Sequence, residues 1–452
     1  MSGMPFFDAL LLLASVAVVI AATQLRYFHP FLVLVLVASG FGLAAGLSIS
    51  LLGRDFGTGF SQALYSPGLV IVAAGLVSGL AESTAAADRI EVTIRRWRWF
   101  SGPRIAALLG LIAGIGASPA AAFALLIPLL RPISGGGTQA RGQVPIALAL
   151  AISAGHGLLF SPVLIAAASI LDASWDRVAL FGLPLALLLA VIGAAWARWQ
   201  SVANAALPAT IQEPLPIAQK QAGWAAIVLI LATAIPLLML MEQSIGAMPS
   251  EPLGGGTARE LVLGVGRPLI LFIVGVGIMV VGLWHPSMRQ LAQPDWTNRV
   301  LGKVAGLVLI VGAAGGLQRL CQETGMAELI GERLLDWRVG GSLALLIPFL
   351  TAAVIKTLQG SSLVAAIAAA GMVQPILMPL GLGGDTGKAL ATLAVGMGAM
   401  TAAHINDEFF WLALTSAGLR PLRGLAAITL GTLLQGFVGV AVLLLLSALL
   451  PR

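Results

Sequence analysis

The chain reads as an all-α polytopic membrane protein: about ten transmembrane helices and two re-entrant helical hairpins, arranged as two inverted-topology repeats. Three observations predict this. Of 452 residues, 58% are hydrophobic and 10% charged, which is too apolar for a soluble globular domain. The apolar residues fall in runs of about 20, the length at which a helix crosses a bilayer. Two further apolar regions are each split near the middle by small polar residues, and part of one half of the chain is echoed in the other.

In order, the runs are Phe6 to Thr23, Phe31 to Leu51, Pro67 to Ala85, Val144 to Ile170 and Val178 to Ala197, then Trp224 to Met241, Pro268 to Trp284, Val300 to Leu320, Ala389 to Ser416 and Leu425 to Leu449. The first has Asp8 and no Lys or Arg ahead of it, so it lacks the basic start of a cleaved signal peptide and is expected to persist as a span. The polar, Pro-containing stretch 200–222 reads as a cytoplasmic linker between an N-terminal repeat, 1–199, and a C-terminal repeat, 223–452. Ile105 to Leu130 is interrupted at Gly116-Ala117-Ser118-Pro119, and Ser342 to Leu380 at Gln359-Gly360-Ser361-Ser362. Each half of these regions is too short to span comfortably, and irregular backbone at membrane depth survives only inside protein or beside a cavity. Both are therefore expected to be hairpins with small polar tips; the competing reading is two kinked spans each.

The echo runs from Ala73-Ala74-Gly75, Thr84, Ala87, Asp88 and Ile90 to Ala313-Ala314-Gly315, Thr324, Ala327, Glu328 and Ile330 at constant spacing. In both halves an amphipathic stretch follows (Asp88 to Trp99; Ala327 to Trp337), then a hairpin, a His-bearing run and one more run. An odd number of crossings per half forces the second copy to insert upside down, the pattern of secondary transporters whose interrupted segments meet near the midplane.

Charge sets the orientation. Arg89, Arg95, Arg96, Arg98 and Arg104 cluster around the first hairpin, so that side is expected to be cytoplasmic, with Arg131, Arg198, Lys303, Arg420 and Arg423 beside it and both termini periplasmic. Trp97 and Trp99 suit an amphipathic helix at the inner interface. The net charge of +6 sits in short loops where orientation explains it, so no nucleic-acid partner is expected. A single cysteine, Cys321, excludes an internal disulfide framework and a Cys cluster for metal; no cofactor is expected.

Two runs carry a histidine in a polar or helix-breaking setting: Ser153-Ala154-Gly155-His156-Gly157 and Ala403-His404-Ile405-Asn406-Asp407-Glu408. Polar atoms at this depth are costly and commonly mark an ion or substrate path. A membrane-embedded hydrolase would need a nucleophile with its base or a set of metal ligands, and no such motif is present at plausible spacing.

His156-Gly157-Leu158-Leu159, Gln359-Gly360-Ser361, and His404-Ile405-Asn406-Asp407 with Phe410-Trp411-Leu412 resemble the signature segments of the gluconate permease family of the ion transporter superfamily. Gly114-Ile115 and Leu125-Leu126-Ile127-Pro128-Leu129 agree with them, and the resemblance covers roughly Gly75 to the C-terminus in matching order. It implies proton-coupled uptake of gluconate or a related hydroxy-acid across the bacterial inner membrane, by an elevator-type mechanism and as a homodimer, with hairpin tips and broken spans forming the site. A cation/proton antiporter or a passive anion channel of the same superfamily is the alternative. Three departures stand out. Ala120 occupies the place of a family Asp, Phe160-Ser161-Pro162 replaces the usual Pro-Pro-His, and Glu408 stands where a small residue is usual.

For an anionic substrate, hairpin tips offer backbone N–H groups, helix N-termini and hydroxyls. Ser118 at the first tip and Gln359, Gly360, Ser361 and Ser362 at the second are the candidates, against a role in close helix packing. Gly155, His156 and Gly157 read as a locally unwound counterpart of His404, and Asn406 offers both donor and acceptor to polyol hydroxyls. Asp407 is the leading proton carrier, with His404 and Glu408 behind it. Lys356 is expected either to pair with the substrate or Asp407, or to snorkel to an interface.

Overall fold

The computed structural model describes residues 5–24, 28–96, 101–135, 138–200, 219–336 and 339–450. Trp97, Trp99 and linker residues 201–218 lie outside them. Among the described residues every regular element is a helix. Seven are long and apolar enough to cross a membrane, or up to eight if Gly256–Val265 and Pro268–Gly282, bent by 62°, form one span. The protein is a multi-pass membrane protein.

Length and composition alone thus pick out fewer spans than the expected ten, for reasons visible element by element. Phe31 to Leu51 yields only the 15-residue helix Pro30–Ala44. Pro268 to Trp284 is one arm of the bent pair. Ala389 to Ser416 is split into Asp385–Ala399 and Glu408–Ser416 by non-helical residues 400–407. The expected start at Pro67 is also displaced. A helix begins at Ile49, passes through a π turn at Leu64–Gly68 and continues to Ser83. Pro67 lies in that turn, where a missing backbone N–H is accommodated by the wider spacing of the hydrogen bonds.

The early part of that helix, with Gly53, Arg54, Asp55, Gly57 and Gly59, looks too polar to span. Its glycines allow contact with the long helix Pro294–Glu323: a Cβ at Gly59 would come within 2.2 Å of the Gly315 carbonyl oxygen. Small residues that let helix backbones touch are a membrane packing device. The polar pair Arg54 and Asp55 closes on itself at 2.9 Å.

Two groups of helices result. Pro5–Gln24, Pro30–Ala44, Ile49–Ser83, Gln219–Gly246, Pro268–Gly282 and Pro294–Glu323 pack mainly on one another. The second group holds the two helix–break–helix pairs, Gly102–Ala113 with Pro119–Ser134 and Leu346–Gln359 with Ser362–Val373. It also holds Thr138–Leu158, Pro162–Leu171, Trp175–Trp199, Asp385–Ala399, Glu408–Ser416 and Leu430–Leu449. Pro119–Ser134 and Glu408–Ser416 carry the contact between the groups, against Leu69–Ser83 and Pro294–Glu323.

Each group draws on both halves of the chain. Within the second, Ser362–Val373 packs on Pro162–Leu171 and Asp385–Ala399 on Thr138–Leu158. Gly157 and Gly396 meet so closely that a Cβ on Gly396 would lie 2.0 Å from the Gly157 carbonyl oxygen. Gln435 donates to the Leu150 and Leu189 carbonyls at 3.0 and 2.9 Å. The same succession also recurs in each half. A long helix ends at a residue of positive φ, Ala85 at 55° and Gly325 at 66°, and a ten-residue helix follows, Ala86–Arg95 and Met326–Leu335. A helix–break–helix pair comes next, then a helix pair broken near a histidine.

Candidate functional site

Both tips line one cavity. Its wall comprises Ala117, Ser118, Pro119 and Ala120 of the first tip and Gly360, Ser361, Ser362 and Leu363 of the second. His156 and Pro162 flank the break of one half, and Asp407, Glu408 and Phe409 that of the other. Gln318, from Pro294–Glu323, is the contribution of the first helix group.

At the first tip Ser118 is the N-cap of Pro119–Ser134, its Oγ accepting from Ala121 N at 3.2 Å. Pro119 follows at the first helical position, where a missing N–H costs nothing. The tip is tied to the first helix group by Ala117 N donating to the Leu240 carbonyl at 3.2 Å. The second tip is built alike. Ser361 caps Ser362–Val373 by accepting from Val364 N at 3.3 Å. Gly360 turns the chain at φ +81°, and a Cβ there would meet the Asn406 carbonyl oxygen at 2.2 Å. Only glycine combines that backbone angle with that approach.

Polar side chains hold the second tip from beneath. Lys356, 2% exposed, donates to Asp407 Oδ2 at 2.5 Å and also to the Gly360 carbonyl oxygen. The other oxygen of Asp407 accepts from Phe409 N at 2.9 Å, capping Glu408–Ser416. Asn406 donates to the Thr357 and Leu358 carbonyls at 3.0 and 3.3 Å, and His404 Nε2 lies 2.7 Å from the Thr357 carbonyl. Trp411 Nε1 donates to the Ile405 carbonyl at 2.8 Å, fixing the irregular strand of residues 400–407 against the following helix. Phe409 packs edge-on to Phe123, centroids 6.1 Å apart, joining the two halves beneath the cavity.

The sequence-derived candidates therefore separate. Ser118, His156, Gly360, Ser361, Ser362, Asp407 and Glu408 line the cavity. Lys356 reaches it through Asp407 and the tip, whereas His404 and Asn406 are not in that wall and brace Leu346–Gln359, the inner limb of the second hairpin. The Gln359 amide turns to Glu328 instead. Gly155 and Gly157 are not unwound, contrary to expectation: Thr138–Leu158 is helical through both, and the break comes at residues 159–161. Gly155 lies against Gly114 and the Leu111 carbonyl, so these glycines serve helix contact, with His156 Nδ1 3.0 Å from the Gly114 carbonyl. Ser161 spans the break, donating to the His156 carbonyl and accepting from Leu164 N at 3.3 Å. Snorkelling is ruled out for Lys356, whose ammonium is buried.

Sequence reasoning passed over Gln318, since Gln318-Arg319 reads as the polar end of a span. Glu328 was visible only as a letter in the repeat. Among the described residues no group of three or more His, Cys, Asp and Glu side chains could hold a metal ion.

Residues 7–449, nearly the whole chain, match the family described as GntP family permease. The chain belongs to the GntP permease family. It is a permease, not an enzyme. It is 26% identical to a gluconate permease of Pseudomonas aeruginosa, with 98% of this chain and 99% of that protein covered. It is 27% identical to the low-affinity gluconate transporter of Escherichia coli K12, with 92% of each covered. It is 25% identical to the D-serine transporter DsdX of the same organism, with 97% of each covered.

Proposed function

We propose that this permease is a secondary active transporter of the bacterial inner membrane that carries gluconate or a related sugar acid together with a proton. The observation that carries the reading is the single cavity shared by both hairpin tips and both helix breaks. Two helix N-termini open on it, at Pro119 and Ser362, and their free N–H groups and positive dipole ends favour a carboxylate. The hydroxyls of Ser361 and Ser362 and the carboxamide of Gln318 suit a polyol chain. Relatives named for gluconate support the sugar-acid class, and one named for D-serine supports a short carboxylate with a neighbouring polar group.

Asp407 is engaged at both oxygens, by Lys356 and by Phe409 N, so the pair is internally neutral and holds the tip. Glu408, on the cavity wall, carries the coupled proton in this proposal. A substrate carboxylate and an ionised Glu408 in one cavity repel, so the anion enters together with a proton on Glu408. His404, braced against Thr357, is the secondary candidate.

The rest of the proposal is architectural. The repeats are inverted, with about five crossings and one re-entrant hairpin each, and the second helix group moves past the first as an elevator within a homodimer. Arg95 donating to the Gly135 carbonyl, Gln143 to the Arg198 carbonyl and Gln200 to the Ala426 carbonyl gather one basic face, in support of a cytoplasmic placement there and periplasmic termini.

Proteoliposome counterflow of labelled gluconate, with and without a proton gradient, tests the reading. Exchange without a gradient and accumulation only with one is the expected result. Accumulation that ignores the gradient would overturn proton coupling, and no exchange with any sugar acid would overturn the substrate class. Glu408→Gln should abolish accumulation while retaining exchange; accumulation at the wild-type level would move the proton to His404.

A further inference from the structure

Beside the second tip a carboxylate meets a carboxamide. Gln359, fully buried at the end of the inner limb, donates its amide to Glu328 Oε1 on the Met326–Leu335 helix. The remaining oxygens, Glu328 Oε2 and Gln359 Oε1, are both buried and both without a hydrogen-bond donor. Two such acceptors left unpaired inside a protein are costly. Turning the amide over does not help, because it would set its oxygen against the carboxylate. A donor is what the pair lacks.

One proton supplies it. A carboxylic acid and a primary amide pair through two parallel hydrogen bonds, N–H to one carboxyl oxygen and O–H to the amide oxygen. We propose that Glu328 binds a proton taken from water, on Oε2, which donates to Gln359 Oε1 and closes this two-point contact. The site is thus a second proton-binding group, distinct from Glu408, and it latches the second tip to the Met326–Leu335 helix. Loss of the proton leaves one hydrogen bond and a buried negative charge, which releases the tip.

The ionisable neighbours leave Glu328 as the group free to respond. On the inner limb, Lys356 is committed to Asp407. On Pro294–Glu323, Arg319 is paired with Glu323. Pro5–Gln24, also packed on this helix, contributes Asp8, and Ser362–Val373 contributes none. Glu332 and Arg333 lie on the same helix as Glu328. The equivalent acid of the other half, Asp88, is bonded instead to Arg131 at 2.9 Å and is 45% exposed, a permanent ion pair with no missing donor. The latch rests on the transport reading proposed above, but the proton on Glu328 can be measured without transport.

Glu328→Gln is the informative variant, since an amide at 328 reproduces the shape and donor of the protonated acid. Infrared difference spectra of the full chain in lipid nanodiscs, between mildly alkaline and mildly acidic buffer, should show a protonated carboxyl band. In a Glu408→Gln background that band should be lost on adding Glu328→Gln. Thermal unfolding should show wild type gaining stability on acidification, and Glu328→Gln holding the acid value at both ends. An unchanged band in the double variant, or Glu328→Gln less stable than wild type in alkaline buffer while Gln359→Leu is harmless, would overturn the proposal. A response to sodium in place of acid would make the site one for a metal cation and overturn it equally. Failure of gluconate counterflow with these results intact would sink the transport reading alone.

Discussion

The two hairpins share one construction and differ in what holds them. Each tip is a short turn followed by a serine-capped helix, Ser118 on Ala121 and Ser361 on Val364. The first is fastened by a neutral backbone bond from Ala117 to Leu240, and the adjacent break by Ser244 donating to the Phe160 carbonyl at 2.8 Å. The second is fastened by ionisable groups, Lys356 with Asp407 and Glu328 with Gln359. Neutral fastenings are indifferent to pH and to a passing charge. Among the fastenings of the two tips, those able to respond to protons are therefore concentrated in the C-terminal half, and Ala120, in the place of a carboxylate expected from the family resemblance, leaves the first tip without one, so that His156 is the ionisable group of that half on the cavity wall.

The sharpest way to break this comparison is Lys356→Met, which strands Asp407 as a buried unpaired charge and should cost about 3–5 kcal/mol of stability. The double variant Lys356→Met/Asp407→Asn should recover much of it, as read by thermal unfolding in detergent. No recovery would mean that Lys356 acts through the Gly360 carbonyl instead. Gly360→Ala is the next largest effect: positive φ and the clash with the Asn406 carbonyl predict a loss of roughly 1–3 kcal/mol and a weakened exchange affinity. At the first tip Ser118→Ala should remove one N-cap, about 1 kcal/mol, and leave the pH profile of exchange unchanged. A shifted profile would show that the first tip also takes part in the response to protons.

The smallest effect belongs to Asp172 and Lys388, 2.7 Å apart, which join the two halves at an exposed edge. The Lys388 hydrogen bond and charge hold the Asp172 carboxyl below its usual range. A depressed carboxyl contributes its stability above the unfolded-state value and loses it as pH falls through the folded one. Lys388→Met should therefore slightly lower stability in the neutral region and flatten the acid limb of a stability–pH curve, the two curves meeting in strong acid.

Much of the site was legible in the sequence because polar residues inside apolar runs are conspicuous. Gly116-Ala117-Ser118-Pro119 and Gln359-Gly360-Ser361-Ser362 marked both tips, and Asn406-Asp407-Glu408 marked a true break. What remained hidden has physical reasons. A glycine between apolar residues reads equally as a bend or as a helix contact, and Gly155 and Gly157 proved to be contacts. Helical spans shorter or more polar than the bilayer rule, Pro30–Ala44 and Ile49–Ala63, are stabilised by neighbours that composition does not reveal. Gln318 and Glu328 sit near span ends, where a polar residue is ordinary until the fold brings a partner to it.

The crossing of Gly157 over Gly396 leaves no side chain between two backbones, and so no slack. It acts as a rivet between the two broken helices, fixing the distance between the half-sites on either side of the cavity. The broken helices that bring His156 and Asp407 to the cavity thus keep one spacing, whatever the tips beside them do. In the elevator proposed above, the substrate would then meet one spacing of these helices at both membrane faces, and its accumulation would rest on the proposed coupled proton.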